Sequence, residues 1–191
     1  MRFLVILFFT CCLLSLSGCG SLLASMNMGK IEDAPKERTI GQMIEDDNIE
    51  TKATVNIHAA NAAFHDAHLV VVSYDGYVLL AGQVNDEVLK DKATDVVRKI
   101  KGVRRIYNEL EVSPPTSGLT RTSDAWITTK IKSGLLSSST VGDTTVKVVT
   151  ENGVVYLMGT VTQSEADLIA HEVSGVSGVR RVVRLFDIHP T

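Results

Sequence analysis

An internal repeat constrains this 191-residue chain more than any other feature of its sequence. The segment from Asp75 to Val84 is DGYVLLAGQV, and the segment from Asn152 to Val161 is NGVVYLMGTV. Each segment begins with Asp-Gly or Asn-Gly, dipeptides that favour the type I′ turn of a two-residue β-hairpin. The repeat therefore predicts two copies of one small domain, each with a hairpin.

Identical residues in the two copies stand at every second position after the shared glycine. They are Val78, Leu80, Gly82 and Val84 in the first copy and Val155, Leu157, Gly159 and Val161 in the second. Because alternate residues of a strand lie on one face, we expect the matched face to pack on the helices of its own domain. The other face differs between the copies, and we expect it to have been free to diverge.

Helical patterns flank each hairpin. In the first copy Ile49, Ala53 and Ile57 have helical spacing, and Asp46 and Asp47 before them suit a helix N-terminus. A second helix follows each hairpin, with Asn85 as the expected cap in the first copy, and a final strand ends each copy. The order is αββαβ, which predicts an α+β fold of two tandem domains, each a three-stranded mixed sheet covered by two helices.

The N-terminus has the composition of an export signal. A basic Met1-Arg2 pair precedes an apolar run at positions 3–16, too short to span a bilayer, and Leu16-Ser17-Gly18-Cys19 follows. This tetrapeptide resembles the lipobox of bacterial lipoproteins, which implies cleavage before Cys19 and acylation of that residue. Gly20, in place of aspartate, implies transfer to the outer membrane. The alternative is an uncleaved apolar anchor.

The predicted organisation has five parts. They are a signal peptide at 1–18, a flexible tether at 19–43, domain 1 at 44–112, a Pro/Ser/Gly linker at 113–118 and domain 2 at 119–191. The three cysteines are Cys11, Cys12 and Cys19, so the mature domains have no disulfide.

The sequence contains no recognisable constellation for catalysis, and we expect a protein that is not an enzyme and needs no cofactor. His65 and His68 are the strongest candidates for a metal site, although exposed loop histidines are the favoured interpretation. The pairs Arg104-Arg105 and Arg180-Arg181 could bind phosphate, but a solvated strand end is favoured for both.

The complete arrangement resembles the BON domain, a small module of bacterial envelope proteins. The resemblance rests on the αββαβ order, the D/N-G-x-V-x-L-x-G-x-V hairpin and a later G-V-x-x-V/I strand, and it covers about 44–112 and 119–190. With the lipobox and the linker, the chain is similar to the family of dual-BON lipoproteins of the outer membrane and division site. That resemblance implies binding of anionic phospholipid, such as phosphatidylglycerol or cardiolipin, through the second domain, and support of outer-membrane integrity.

Charge also favours the second domain as the membrane binder. Positions 44–112 hold 8 basic and 12 acidic side chains, a net charge of −4, whereas positions 119–191 hold 7 of each. An anionic surface repels the first domain more strongly. The alternative function is a protein–protein adaptor for outer-membrane assembly or peptidoglycan-remodelling partners. Nucleic acid is not an expected partner.

The repeat also selects candidate lipid-binding residues on the first helix of domain 2. Trp126 aligns with Asn48 and Leu136 with His58, so the fold does not require an apolar residue at either position. At about 100° per residue both lie away from the core stripe, and an indole suits the membrane interface. The predicted phospholipid-binding residues are Trp126, Lys130, Lys132, Ser133 and Leu136 on this helix, and Leu119 just ahead of it.

Overall fold

The computed structural model describes residues 38–138 and 146–189, which form two αββαβ domains. Domain 1 contains α1 (Ile40–Ala60), a 3-10 turn (Ala62–Asp66), β1 (His68–Tyr74), β2 (Tyr77–Val84), α2 (Glu87–Val97) and β3 (Arg105–Val112). Domain 2 contains α3 (Gly118–Ser137), β4 (Lys147–Glu151), β5 (Val154–Val161), α4 (Gln163–Ser174) and β6 (Arg181–Ile188). The predicted fold class is confirmed, while the signal peptide, Cys19 and most of the tether lie outside the described residues and stay predictions.

Each domain has a mixed three-stranded sheet. The strand orders are β1-β2-β3 and β4-β5-β6, with an antiparallel hairpin and a parallel final strand in both. The turn residues Asp75 and Gly76 have φ angles of 49° and 74°, and Asn152 and Gly153 have 48° and 73°. Both hairpins thus have the positive φ angles at two consecutive residues that a type I′ turn requires, as the dipeptides predicted.

The matched face of each hairpin packs on the helices of its own domain, as predicted. Val78, Leu80 and Val84 belong to a buried cluster with α1 and α2, and Val155, Leu157 and Val161 belong to its counterpart with α3 and α4. Two helices cover each sheet because their apolar stripes need a partner surface.

The opposite face of each sheet packs against the other domain, so the prediction that this face was free to diverge is wrong. Leu79 and Ala81 of β2 share one buried cluster with Tyr156 and Met158 of β5. The layers are therefore helices, sheet, sheet and helices, with the two helical layers on opposite outer sides. Residues on this face differ between the copies, and the two different faces are buried in one cluster.

Two helices begin earlier than their sequence patterns predicted. The expectation that Asp46 starts the first helix is wrong, because Thr39 and Gln42 form a capping box and the helix begins at Ile40. The first helix of domain 2, for which the sequence pattern predicts a start at Trp126 and an end near Ser137, begins at Gly118, where the Ser117 hydroxyl caps it. The N-terminal turns of both helices contain no buried residue before Asp46 and Asp124, so they lack the buried stripe on which the prediction relied.

Smaller details of the helix caps also differ from expectation. Asp86, and not Asn85, caps α2 by accepting a hydrogen bond of 2.7 Å from the Leu89 amide. Before α4, the spacing of Thr162 and Glu165 predicts a capping box, and the structure confirms it.

Candidate membrane-binding surface

The outer face of α3 carries the predicted lipid-binding residues. This helix is held to its sheet by Ile127 and Ile131, which lie in the buried core of domain 2. The inner side of the helix is thus fixed, and the side chains opposite Ile127 and Ile131 point away from the sheet. Because the domains meet through their sheets, domain 1 does not cover this outer face.

Three large apolar side chains of α3 are exposed. Leu119 is 84% exposed, Trp126 64% and Leu136 89%. Leu119 and Trp126 are seven residues apart, which places them nearly in line along the helix and about 10 Å apart along its axis. Exposure of Trp126 excludes the alternative in which it packs under the linker or against domain 1.

Polar and basic side chains accompany these apolar residues. Lys132 and Ser133 are exposed, and Lys130 is half-buried. The Lys130 Nζ donates a hydrogen bond of 2.6 Å to the carbonyl oxygen of Ser177, which leaves two ammonium hydrogens for other acceptors. Lys130 therefore lies on the flank of α3 that faces the turn after α4, four residues from Trp126.

Domain 1 presents a different surface at the equivalent helix. The outer face of α1 exposes Ile44 and Val55, so apolar exposure alone does not distinguish the two domains. Its exposed charges, however, include Glu45 and Asp47, whereas Lys132 accompanies Trp126 on α3. An anionic membrane is attracted to the charges of α3 and repelled by those acidic groups.

Two buried carboxylates were missed by the sequence analysis. Asp46 of α1 accepts hydrogen bonds from the amides of Asp75 and Gly76, at 2.8 and 3.0 Å, and from the Ser73 hydroxyl at 2.6 Å. Asp124 of α3 occupies the same position in the repeat and is also buried. The shared aspartate at equivalent positions was the signal that could have revealed this role.

The pKa of Asp46 is lowered by these contacts. Burial by itself raises the pKa of this carboxyl, but hydrogen bonds from Gly76, Ser73, Asp75 and Arg38 stabilise the ionised form and lower it overall. Asp46 is thus an ionised structural residue that joins α1 to the hairpin turn, and the expectation that the helix dipole accounts for it is wrong.

The two domains are also joined by polar contacts at the edges of their sheets. The Lys147 Nζ donates to Glu50 Oε1 at 2.7 Å and to the Ser73 carbonyl at 3.1 Å. At the other end of the interface, His68 Nε2 lies 3.2 Å from Glu151 Oε1. One of the seven cations of domain 2 is therefore paired with a carboxylate of domain 1.

The contact with Glu151 determines the role of His68. His68 begins β1 and its side chain is only 18% exposed, so the prediction of exposed loop histidines is wrong for this residue. His65 lies in the exposed 3-10 turn. Among residues 38–138 and 146–189, no group of three or more His, Cys, Asp or Glu is placed to hold a metal ion.

A second candidate site lies on the opposite side of the molecule, between α1 and α2 of domain 1. An open groove of about 340 Å³ is lined by Asn56, Ala59, Ala60, Val96, Lys99 and Ile100. The groove combines small apolar side chains with a single cation, which suits a protein segment better than a charged small molecule.

Within the described part of the chain, no helix is both long enough and apolar enough to cross a membrane.

The fold and the repeat define the class of protein. The model of the BON domain family matches residues 45–114 and 123–190, and the chain belongs to that family. The chain is 37% identical to the outer membrane lipoprotein DolP of Haemophilus influenzae over 90% of its own length and 89% of that protein.

Two further relatives are similar to this chain. The 21 kDa hemolysin of Actinobacillus pleuropneumoniae is 35% identical, over 78% of this chain and 77% of that protein. Osmotically-inducible protein Y of Escherichia coli is 32% identical over 55% of this chain and 54% of its own length.

Proposed function

We propose that this protein is an outer-membrane lipoprotein, anchored by acylated Cys19 at the periplasmic face, that binds anionic phospholipid through the outer face of α3. Its role is binding without catalysis. Similarity to an outer membrane lipoprotein over 90% of the chain supports the location. The lipobox-like sequence before Cys19 supports the anchor.

The observation that carries the lipid-binding proposal is the exposed Trp126 on the outer face of α3, with Lys130 and Lys132 on the two flanks of that helix. An indole at the bilayer interface buries its ring while its N–H remains hydrated. Lysines beside it extend their apolar stems along the surface and place their ammonium groups among the phosphates. Leu119 and Leu136 add apolar area on the same helix.

The layered architecture supports the use of one domain for lipid. The helices of domain 1 and domain 2 lie on opposite outer sides of the packed sheets. When the outer face of α3 lies on a membrane, the helices of domain 1 point away from it. This arrangement leaves the groove between α1 and α2 open toward the periplasm for an adaptor function, with an outer-membrane assembly or peptidoglycan-remodelling protein as partner.

The test compares two equally exposed positions in the full mature chain carrying Cys19→Ser. Trp126→Glu is expected to abolish binding to phosphatidylglycerol vesicles, because it places a carboxylate where the ring enters the interface. Val55→Glu on α1, at a position 60% exposed, is the matched control and is expected to leave binding unchanged. Equal loss in both variants, or equal binding to neutral vesicles, would contradict the proposal.

Tryptophan fluorescence gives an independent readout, since Trp126 is the only tryptophan. Its emission maximum is expected to lie at long wavelength in the free protein. When anionic vesicles are added, the maximum is expected to shift to shorter wavelength. Emission that does not respond to vesicles at a concentration where flotation detects binding would show that the contact is elsewhere.

We also propose that this binding supports outer-membrane integrity, including at the division site. In cells, Trp126→Glu in the acylated protein is expected to admit a dye that the intact outer membrane excludes. A fluorescent fusion of the same variant is expected to lose enrichment at the septum while remaining in the membrane fraction. Normal dye exclusion and normal enrichment would separate lipid binding from this role.

A further inference from the structure

The two hairpin turns differ in how they neutralise an equivalent arginine. In domain 1, the guanidinium of Arg104 forms an ion pair with the side chain of Asp75 and also donates to its carbonyl. In domain 2, Asn152 stands in place of Asp75, and the guanidinium of Arg180 donates to the Asn152 carbonyl oxygen, at 3.2 Å, without a carboxylate partner among the described residues. Both copies of the repeat thus have the arginine, but only the first copy has the turn carboxylate that pairs with it.

The side chain of Arg180 is held in place by the hairpin turn of domain 2. Its aliphatic part crosses the backbone of Gly153, because a Cβ at Gly153 would lie 2.8 Å from Arg180 Cδ. Arg180 is exposed, and among the described carboxylates none lies within ion-pair distance of it. A guanidinium has five N–H donors, so most of them remain free.

Arg180 directly follows a turn that contacts α3 at Lys130 and Ile127. The turn at Ser177 accepts the hydrogen bond from Lys130, and Gly178 packs on Ile127, whose Cδ1 would lie 2.8 Å from a Cβ at Gly178. Arg180 follows two residues later in the chain. Its guanidinium reaches the hairpin turn at Asn152, whose backbone amide donates to Asp124 of α3, so Lys130 and Arg180 both belong to segments that contact α3.

We propose that Arg180 and Lys130 together form a phosphate-binding site for the head groups of anionic phospholipids, next to Trp126. This inference rests on the lipid-binding function proposed above and adds a residue outside α3. The guanidinium can hold two phosphate oxygens at once, while the ammonium adds a mobile charge. In domain 1 the carboxylate of Asp75 already pairs with the equivalent cation, Arg104. The proposal therefore accounts for lipid binding by the second copy of the repeat and not by the first.

The first test removes the cation in each copy of the repeat. In the full mature chain carrying Cys19→Ser, Arg180→Gln is expected to weaken binding to phosphatidylglycerol vesicles about fivefold and to reduce its dependence on salt. Arg104→Gln, the matched variant in domain 1, is expected to leave binding unchanged. An equal effect of the two variants would overturn the proposal, because net charge alone would then explain the loss.

The second test restores the carboxylate and keeps the arginine. Asn152→Asp gives domain 2 the turn residue of domain 1, and Asp75 has the same φ within 1°, so the backbone accommodates it. This variant is expected to weaken vesicle binding at least as much as Arg180→Gln. Asp75→Asn is the reverse control and is expected to leave binding unchanged. Unchanged binding by Asn152→Asp would overturn the proposal.

Failure of this inference is distinguishable from failure of lipid binding itself. If the parent chain does not bind anionic vesicles, both proposals are overturned. If it binds, and Trp126→Glu abolishes binding while Arg180→Gln does not weaken it, only the phosphate site is overturned. Glycerol phosphate at millimolar concentration and constant ionic strength is expected not to compete with the vesicles. Competition would instead indicate a site for free phosphate esters.

Discussion

The carboxylate of Asp124 accepts a hydrogen bond of 2.8 Å from the backbone amide of Gly153, and its other oxygen accepts one of 2.9 Å from Asn152. The helix that carries Trp126 is thereby joined to the hairpin turn that holds Arg180. Asp46 makes the equivalent contacts with Asp75 and Gly76 in domain 1. A buried carboxylate on the first helix is therefore the common device that sets the helix against the sheet in both copies.

Asp124→Asn should lower the free energy of unfolding by about 1.5–3 kcal/mol, because an amide group replaces an ionised acceptor of two backbone hydrogen bonds. Chemical denaturation of the full chain measures the change. Asp47→Asn on the exposed side of α1 is the control, with an expected change within about 0.5 kcal/mol. Equal stabilities of the two variants would show that the contacts of Asp124 contribute little.

Asp46 should make stability depend on acid. Its folded pKa is lowered below the unfolded value, so its contribution is present above the unfolded pKa and is lost as pH falls through the folded pKa. The loss in melting temperature caused by Asp46→Asn is expected to be full at pH 7 and to shrink below about pH 3.8. A loss that is equal at pH 7 and pH 3 would contradict ionisation of this carboxyl.

Glu151 should have the opposite dependence. Burial raises its pKa, and nearby Asp124 adds to this, although His68 and Arg121 act against it. A raised pKa means that stability falls as pH rises from the unfolded pKa through the folded pKa. Glu151→Gln is therefore expected to be stabilising or neutral at pH 7 relative to the parent, with the advantage lost below about pH 4.5. Strong destabilisation at pH 7 would mean that the contact with His68 outweighs desolvation.

The sheet-to-sheet interface should be essential to stability. Tyr156 lies in this interface and is 2% exposed. Tyr156→Ala in the full chain is expected to lower the free energy of unfolding by about 3–5 kcal/mol, because burial is lost and a cavity forms. Val55→Ala at an exposed position is the control. A fragment of residues 119–191 would expose the interface face of β5, and it is expected to be less stable than the full chain for the same reason. Equal stability of the fragment and the full chain would contradict the contribution of this interface.

Burial also raises the pKa of the Tyr156 phenol to about 12. Its ionisation, followed by the ultraviolet absorbance of the phenolate, is expected to occur above that of exposed tyrosines. A titration in which every tyrosine ionises together near pH 10 would contradict burial at this interface.

Cys19→Ser should release the protein from the membrane fraction of cells. One acyl chain gives only marginal binding, and the lipobox-like sequence predicts more than one. Fractionation after a high-salt wash measures retention, with the unchanged protein as control. Persistence of the variant in the membrane would show either that the lipobox prediction is wrong or that α3 alone holds the protein there.

Much of the fold follows from local patterns in the chain. The Asp-Gly and Asn-Gly turns, the alternating strands and the helical stripe from Ile49 to Ile57 each depend on residues close in sequence, and all were predicted. The exposure of Trp126 was also predictable, because its repeat partner Asn48 shows that the fold does not need an apolar residue there. Helix starts were less predictable, since Thr39 and Ser117 cap turns that have no buried stripe.

Two domains, their order and the candidate lipid-binding helix were thus determined by the sequence itself, because periodicity and repetition report on local geometry. Only the tertiary structure decided which face of each sheet meets the other domain and where individual charges go. Lys147 pairs with Glu50 and His68 with Glu151 across long separations in the chain. The lack of a carboxylate partner for Arg180 within residues 38–138 and 146–189 became visible in the same way. Contacts of this kind depend on how two folded surfaces fit together, and no periodic pattern in one chain segment records that fit.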